Sequence, residues 1–522
     1  MSAGTHVSRG RRWALAVPLF LLAAMVTSVA PSSATTAPAF LFATPSGTGA
    51  QSCANAANAC TLSKALIAAG PGTTINLITP GNLSTPSSWY SGGFSVNTPG
   101  TSAAKPVTIN GENDAIIDGG GSRVDLTVGP IYLNLVGVSV DGSGNGPGLR
   151  NNDGGSVTIT NSTFAGDSNS VDYGGAIDNS DTLLPGTVGH DALTIVDCTF
   201  ANDSSLEGGA IFNEDGTVDV TGSTFSSDEA DASGGGAIVN GQATSNHAPA
   251  GTLTVTGSTF EHNTASAVGG AIDNADGATG TAVISNSTFY DNISGNYGGA
   301  VSNGYNGGNG TMDVSGSTFD DNQTADNGGG IDNGDFGNGT LAVLHSTFTD
   351  DVASNHGTAI DSADGSGAGS TTVGGDIFND TCAHPGGSWT NLGYDVGNGA
   401  TCFNGSGAGN VTDVTLYADL SGLETIHSPL QVVVPSGVAA STIPDGIAQL
   451  CPVAGDERGM PSPGNGPCDA GAAQVPGGAA VKLLAAPLPV ASGSVTYKVA
   501  VQGSLGLLAT GSVQIVDNHS GH

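Results

Sequence analysis

The stretch "LTVTGSTFEHNTASAVGGAIDN", Leu253 to Asn274, decides the fold. It carries a Thr-Phe pair, an Asn three residues beyond the Phe, a Gly-Gly pair and a closing Asn. Upstream, Leu253 and Val255 alternate with Thr254 and Thr256, the period of a half-buried strand. The same order of residues returns along much of the chain. Aligned on its Phe, the pattern falls at Phe164, Phe200, Phe225, Phe260, Phe289, Phe319 and Phe348, and a weaker copy ends at Phe378. The spacing runs from 25 to 36 residues and settles at 29 and 30. A period of that size marks a solenoid or a propeller.

Several columns hold across the copies. Thr precedes each of the first seven Phe, and Ser precedes that Thr, except at Cys198. A thiol replacing a hydroxyl in one column is a packing substitution, so Cys198 reads as buried and inert. One place earlier stand Asn161, Asp197, Gly222, Gly257, Asn286, Gly316 and His345. These types tolerate positive φ, which marks a corner between two strands and gives His345 a plain role. Three residues after the Phe comes Asp167, Asp203, Asp228, Asn263, Asn292, Asn322 or Asp351. Then follow "GGAIDN" (174–179), "GGAIFN" (208–213), "GGAIVN" (235–240), "GGAIDN" (269–274), "GGAVSN" (298–303) and "GGGIDN" (328–333). The Gly pair permits a tight bend, Ala and Ile or Val fill a core, and the Asn is placed to stack in an amide ladder. Length varies mostly after this Asn, as in residues 241–251, which puts the variable loops on one edge. A single unit has too little apolar surface to fold alone, but units stacked strand on strand at ~4.8 Å bury a continuous core. The expected fold is all-β, a parallel β-helix. A propeller blade needs about four strands and ~40 residues or more.

These residues carry a resemblance. "GGAI" alternating with "FxxN" resembles the repeats of polymorphic outer-membrane proteins and the wider group of right-handed parallel β-helix surface proteins, the pectin-lyase-like solenoids. "VTINGENDAIIDGGG" (107–121) is similar to the first rungs of such helices. "CTLSKALIAAGPGTTINL" (60–77) resembles the Cys-Ser-Leu-Arg-Glu-Ala domain found ahead of them, departing at Ser63 and Lys64. "CPVAGDERGMPSPGNGPCDAGAAQ" (451–474) resembles the closing segment of choice-of-anchor surface proteins, with Ser462 for a usual Arg and Gln474 for a usual Glu. The resemblance implies architecture and leaves activity open, because the fold hosts many functions. "GSVTYKVAVQGSLGLLATGSVQIVDN" (493–518) holds two alternating strands and resembles the opening of a bacterial Ig-like repeat, short of the ~100 residues of such a sandwich. The expected organisation is a signal peptide over 1–34, an N-terminal cap over 35–72, the β-helix over 73–410, a closing segment over 411–474, and a linker with a partial Ig-like ribbon over 475–522.

Composition narrows the partners. The chain has 522 residues, 84 of them Gly, and a formal charge of −35. No Lys or Arg occurs between Asn151 and Glu457. Nucleic acid and anionic membrane surfaces need basic patches, so neither is an expected partner. Cations, glycans and a cell-surface protein remain. Arg9, Arg11 and Arg12 precede an apolar run from Trp13 to Ala30, with small residues near Ala34, the pattern of a secretory signal. An uncleaved anchor is the alternative. No later segment is apolar enough to span a membrane, so the mature chain is expected to be secreted or displayed at the cell surface. Cys53 with Cys60, Cys382 with Cys402, and Cys451 with Cys468 form three local pairs that suit an exported protein.

Chemistry is harder to find. The lyases of the resembling fold abstract a proton with Arg or Lys, absent from the repeat region. Its hydrolases use clustered Asp with a Gly-His-Gly segment and a basic pair, and "VGHD" (188–191) and "SNHG" (354–357) match poorly. His190, His247 and His384 fall in loops. One constellation stands out. Two residues past the Phe, consecutive rungs carry Asp291, Asp321 and Asp350, preceded by His262 and flanked by Glu261, Asp320 and Asp351. In register, the column's carboxylates lie roughly 5 Å apart. A solvated turn accounts for them. So does a divalent-cation site, with calcium the one cofactor to consider, or a retaining carboxylate pair for glycoside cleavage. The leading expectation is an exported, non-enzymatic surface or extracellular protein, an adhesion or glycan-binding scaffold. The alternative is a carbohydrate-active enzyme, a polysaccharide lyase or glycoside hydrolase. Ice binding is a third reading, but no flat threonine array is seen to recur in register.

Overall fold

The computed structural model describes residues 38–412 with short gaps at 80–87, 120–123, 143–144, 181–190, 243–249, 364–366, 398–400 and 404–406. Beyond them it describes 420–427, 430–435, 480–485 and 498–502, with Cys468, Ala470 and Gly471. The expected signal peptide lies outside the described residues.

One rung shows how sequence becomes shape. Thr279–Ser285 is a strand, Asn286 a corner, Thr288–Tyr290 a second strand, Asp291 a second corner, Ile293–Ser294 a two-residue strand and Val301–Asn303 the last. Each strand pairs in parallel with its equivalent in the next rung, as Phe260 with Phe289 and Phe289 with Phe319. The result is three parallel sheets, of 23, 7 and 11 strands among the described residues. The first is largest because each rung gives it the strands on both sides of the first corner. Crossovers between parallel strands of one sheet take the right-handed sense. The chain is a right-handed parallel β-helix.

The corners are set by backbone. Asn161, Asp197, Gly222, Gly257, Asn286, Gly316 and His345 all have φ between 48° and 59°. The Gly pair divides its work. The first Gly of each pair, such as Gly269, holds φ of 58–67°. The second approaches the next rung so closely that a Cβ on Gly270 would lie 2.0 Å from the Gly299 carbonyl oxygen. No other residue fits there.

Inside, side chains form continuous rows. Phe164 to Phe378 stack ring on ring, with centroids 4.6–5.3 Å apart and every ring buried. Asn151, Asn179, Asn213, Asn240, Asn274, Asn303 and Asn333 form the expected ladder, each amide donating to the next oxygen at 2.7–2.8 Å. The Ser column adds a third row, with Ser223 Oγ accepting the Cys198 N–H and Ser258 Oγ accepting the Ser223 N–H. Cys198 points its thiol at the Val196 carbonyl, as Ser223 points its hydroxyl at that of Thr221. Burial pushes that thiol up to about 11, which leaves no thiolate at neutral pH.

At the N-terminal end, Phe40–Ala43 already pairs in parallel with Thr74–Leu77, and that strand with Val107–Asp118. Between them, Leu62–Ala68 forms a short helix that buries Leu62, Ala65 and Leu66. Thr61 caps it by accepting the Lys64 N–H, while the Lys64 ammonium donates to the Gly49 and Gln51 carbonyls. Cys53–Cys60 and Cys382–Cys402 are bonded, and Cys198 is the free cysteine among the described residues. Cys468 is disulfide-bonded; Cys451, its expected partner, lies outside them. Farther on, Leu420–His427 pairs antiparallel with Leu430–Pro435, and Ala480–Ala485 with Lys498–Gln502. The second strand expected within 493–518 also lies outside the described residues. No helix among these residues is long and apolar enough to cross a membrane.

The Phe row makes a direct prediction. Phe260→Ala opens a cavity between two stacked rings and is expected to cost about 3–5 kcal/mol in denaturant unfolding. Thr281→Ala, on the exposed face, is expected to stay within about 0.5 kcal/mol.

Candidate functional site

The acidic column has a backbone cause. Gly166, Asn202, Ser227, His262, Asp291, Asp321 and Asp350 occupy one equivalent place in successive rungs, and all have φ between 50° and 70°. It is a second left-handed corner, and Asp, Asn, His and Gly are the types that fill such corners most readily. Asp321 and Asp350 are exposed and Asp291 is half-buried. His262 Nε2 lies 3.4 Å from an Asp291 carboxylate oxygen. Partial burial, then Asp350 and Asp291, raise the Asp321 carboxyl above its usual range.

The two flanking aspartates do not belong to this exposed edge. Asp351 falls in the interior row three places past the Phe, where its carboxylate accepts the Asn322 N–H and side-chain amide at 2.9 and 2.8 Å. Asp320 points outward by strand alternation yet is 4% exposed. Burial, followed by Asp321, Asp350 and Asp380, pushes its carboxyl up to about 7. The strand Leu430–Pro435 passes beside Thr288–Tyr290 and Thr318–Asp320. Gly471 sits against Thr347 in the next rung, with its N–H on the Gly375 carbonyl. The outward Thr column is therefore exposed at Thr199 and buried at Thr288, Thr318 and Thr347. The closing part of the chain covers that face, and nothing local in the repeat signals it.

A different set of groups converges on the opposite side of the rung. In the "AIDN" segments, Ile and Asn point inward and the residue between them points out. Asp273, Ser302, Asp332 and Asp361 are its register partners in four successive rungs, all with no exposed surface. Oxygens of Asp332, Asp335 and Asp361 lie within 4.8 Å of one another. Asn327 Nδ2 donates to Asp335 at 3.1 Å. Three aromatic rings pack beside this trio: Tyr297 with Tyr305 at 5.5 Å, Tyr297 with Phe336 at 6.0 Å and Tyr305 with Phe336 at 6.3 Å. Phe336 is 47% exposed. Burial pushes the Tyr297 phenol up to about 12, helped by Asp326, Asp335 and Asp332. The arrangement is a partly exposed cluster of tilted rings beside buried carboxylates. Among the described residues this trio, not Asp291, Asp321 and Asp350, brings carboxylate oxygens to one point. Its sequence signal was slight: three aromatics in Gly- and Asn-rich loops of a chain only 5% aromatic.

Threonine recurs in register as a single column, not as a flat array. Thr217, Thr252, Thr281, Thr311 and Thr340 are successive partners on the first sheet, continued by Ser370 and Ser388. The neighbouring column reads Thr254, Val283, Asp313 and Ala342, so the hydroxyls form a line and not a plane. His190 and His247 lie outside the described residues, and His384 packs against Trp389.

No family model matches the chain, and no curated protein matches it. Among solved structures, the crystal structure of pectate lyase Pel9A matches over 62% of this chain and 78% of that one. The TM-score is 0.34 and the identity 15%, which carry no inference about activity.

Proposed function

We propose that the chain is an exported, non-enzymatic scaffold of the surface-displayed β-helix type, and that it binds glycans. The observation that carries the reading is the cluster of Tyr297, Tyr305 and Phe336 beside Asp332, Asp335 and Asp361. The partly exposed rings offer apolar surface to the face of a sugar. Burial argues for holding over cutting. A carboxylate with no exposed surface cannot reach a glycosidic bond, and no Arg or Lys lies between Asn151 and Glu457 to abstract a proton. The two disulfides and the resemblance of the repeats support an extracellular setting. Glycoside hydrolysis is the second reading, favoured by the exposed carboxylates of Asp321 and Asp350 in successive rungs.

A polysaccharide panel assayed for both binding and reducing-end release separates the two. Retention without new reducing ends is expected. Phe336→Ala and Tyr305→Ala are each expected to weaken retention by roughly tenfold or more, as loss of a central aromatic does. Release of reducing ends that Asp321→Asn abolishes would establish the hydrolase instead. A cation on the acidic column belongs to the same proposal. Calcium on Asp291, Asp321 and Asp350 would relieve stacked like charge, since the folded stack alone presents them together. Millimolar calcium at matched ionic strength is then expected to raise the melting temperature, and Asp321→Asn to remove most of the gain. Identical melting curves with calcium and with chelator would leave the column as a solvated corner.

A further inference from the structure

The interior row three places past the Phe changes chemistry along its length. It reads Asp167, Asp203, Asp228, Asn263, Asn292, Asn322, Asp351, all buried, and continues to Asp380. One bond is common to every step. The backbone N–H of each member donates to a side-chain oxygen of the next, from Asp167 onto Asp203 at 2.9 Å to Asp351 onto Asp380 at 3.0 Å. That bond uses one side-chain atom. The other atom distinguishes Asn from Asp.

In the asparagine rungs the second atom is a donor facing acceptors. Nδ2 of Asn263, Asn292 and Asn322 donates to the carbonyl of Phe225, Phe260 and Phe289 at 3.0–3.1 Å. The same Nδ2 also donates to the side-chain oxygen of the next rung at 2.8–3.0 Å. In the aspartate rungs the equivalent atom is Oδ2. By equivalence with the asparagine rungs it faces the carbonyl of the Phe one rung back, so an ionised Oδ2 would meet an acceptor. Oδ2 of Asp203, Asp228 and Asp351 is buried and has no hydrogen-bond partner as an acceptor. A proton on Oδ2 restores the pattern, with O–H donating where Nδ2–H donates in the asparagine rungs.

We propose that Asp203, Asp228 and Asp351 carry their protons at neutral pH, and that the β-helix is an acid-favoured stack that loosens as pH rises. Everything charged that faces them pushes the same way. Asp203 meets Asp228 and Asp167, and Asp351 meets Asp380 and Asp320, while Asp228 is raised by burial against the lowering bond from the Asp203 N–H. No cation is among them, and Arg150 is engaged by Asp172 and Asp178. Burial is the largest cause and holds all three carboxyls well above the usual range. The sign follows. With a folded pKa above the unfolded one, the folded state binds more protons, so stability is complete below the unfolded value of about 4 and falls as pH rises above it. A stack of paired carboxylates would do the opposite.

The test is thermal melting of the full chain from about pH 5 to about pH 8, in high salt to screen the exposed acids, which are screened far more than buried ones. The melting temperature is expected to fall across that range. Asp203→Asn with Asp228→Asn is expected to raise it at the alkaline end and to flatten the slope. Asp219→Asn, on the exposed face, is expected to leave the slope alone. Infrared spectra of the parent at neutral pH are expected to contain an unionised-carboxyl band that disappears on unfolding. A melting temperature that rises or stays level with pH, a double variant with the parent's slope, or a native spectrum without that band would overturn the proposal. If the double variant does not fold, the single variant Asp351→Asn decides the matter: the unionised-carboxyl band is expected to lose intensity, and an unchanged band would overturn the proposal.

Discussion

A chain that turns three times in each rung must find partners for the backbone amides at its corners, and the hydrogen bond from a corner N–H to a side-chain oxygen of the next rung meets that need. Strand ladders satisfy the amides between corners. The corner amides are equally buried, and an unpaired one costs about 1–3 kcal/mol. Ser Oγ serves one corner and Asp or Asn Oδ1 another. Because the partner always sits one rung away, each rung needs the same residue type in the same place. The repeat is the visible form of that requirement. Phe stacking fills the space the ladders enclose, and the closing Asn row ties the third side.

That requirement explains which parts of the fold were legible. The strand before the corner shows its period, the Phe and Asn columns align by eye, and the corner residues betray their φ by type. The two-residue strands, such as Ile293–Ser294, were not foreseen, since two residues cannot display a period. Asp351 was read with its exposed neighbours although its column places it inside. Asp320 was read as solvated because the segment that covers it comes from far along the chain.

The candidate site was less legible than the fold for the same reason. Asp291, Asp321 and Asp350 drew attention because they repeat, yet repetition here reports backbone geometry: Gly166, Asn202 and Ser227 hold the same corner without a carboxylate. Tyr297, Tyr305 and Phe336 sit in loops of different length and share no column, so alignment hides them. Only the stack brings them together over Asp332. In a solenoid of this kind, function resides in what departs from the repeat.

Amide hydrogen exchange at the corners tests the account most directly. The amides of Asn263, Asn292 and Asn322 lie at a turn, where exchange is ordinarily fast, but each donates to a side chain of the next rung. The account predicts that they exchange as slowly as the strand amides of Phe260, Phe289 and Phe319, through the same cooperative opening. Exchange of these corner amides at loop rates, with the strands still protected, would contradict it.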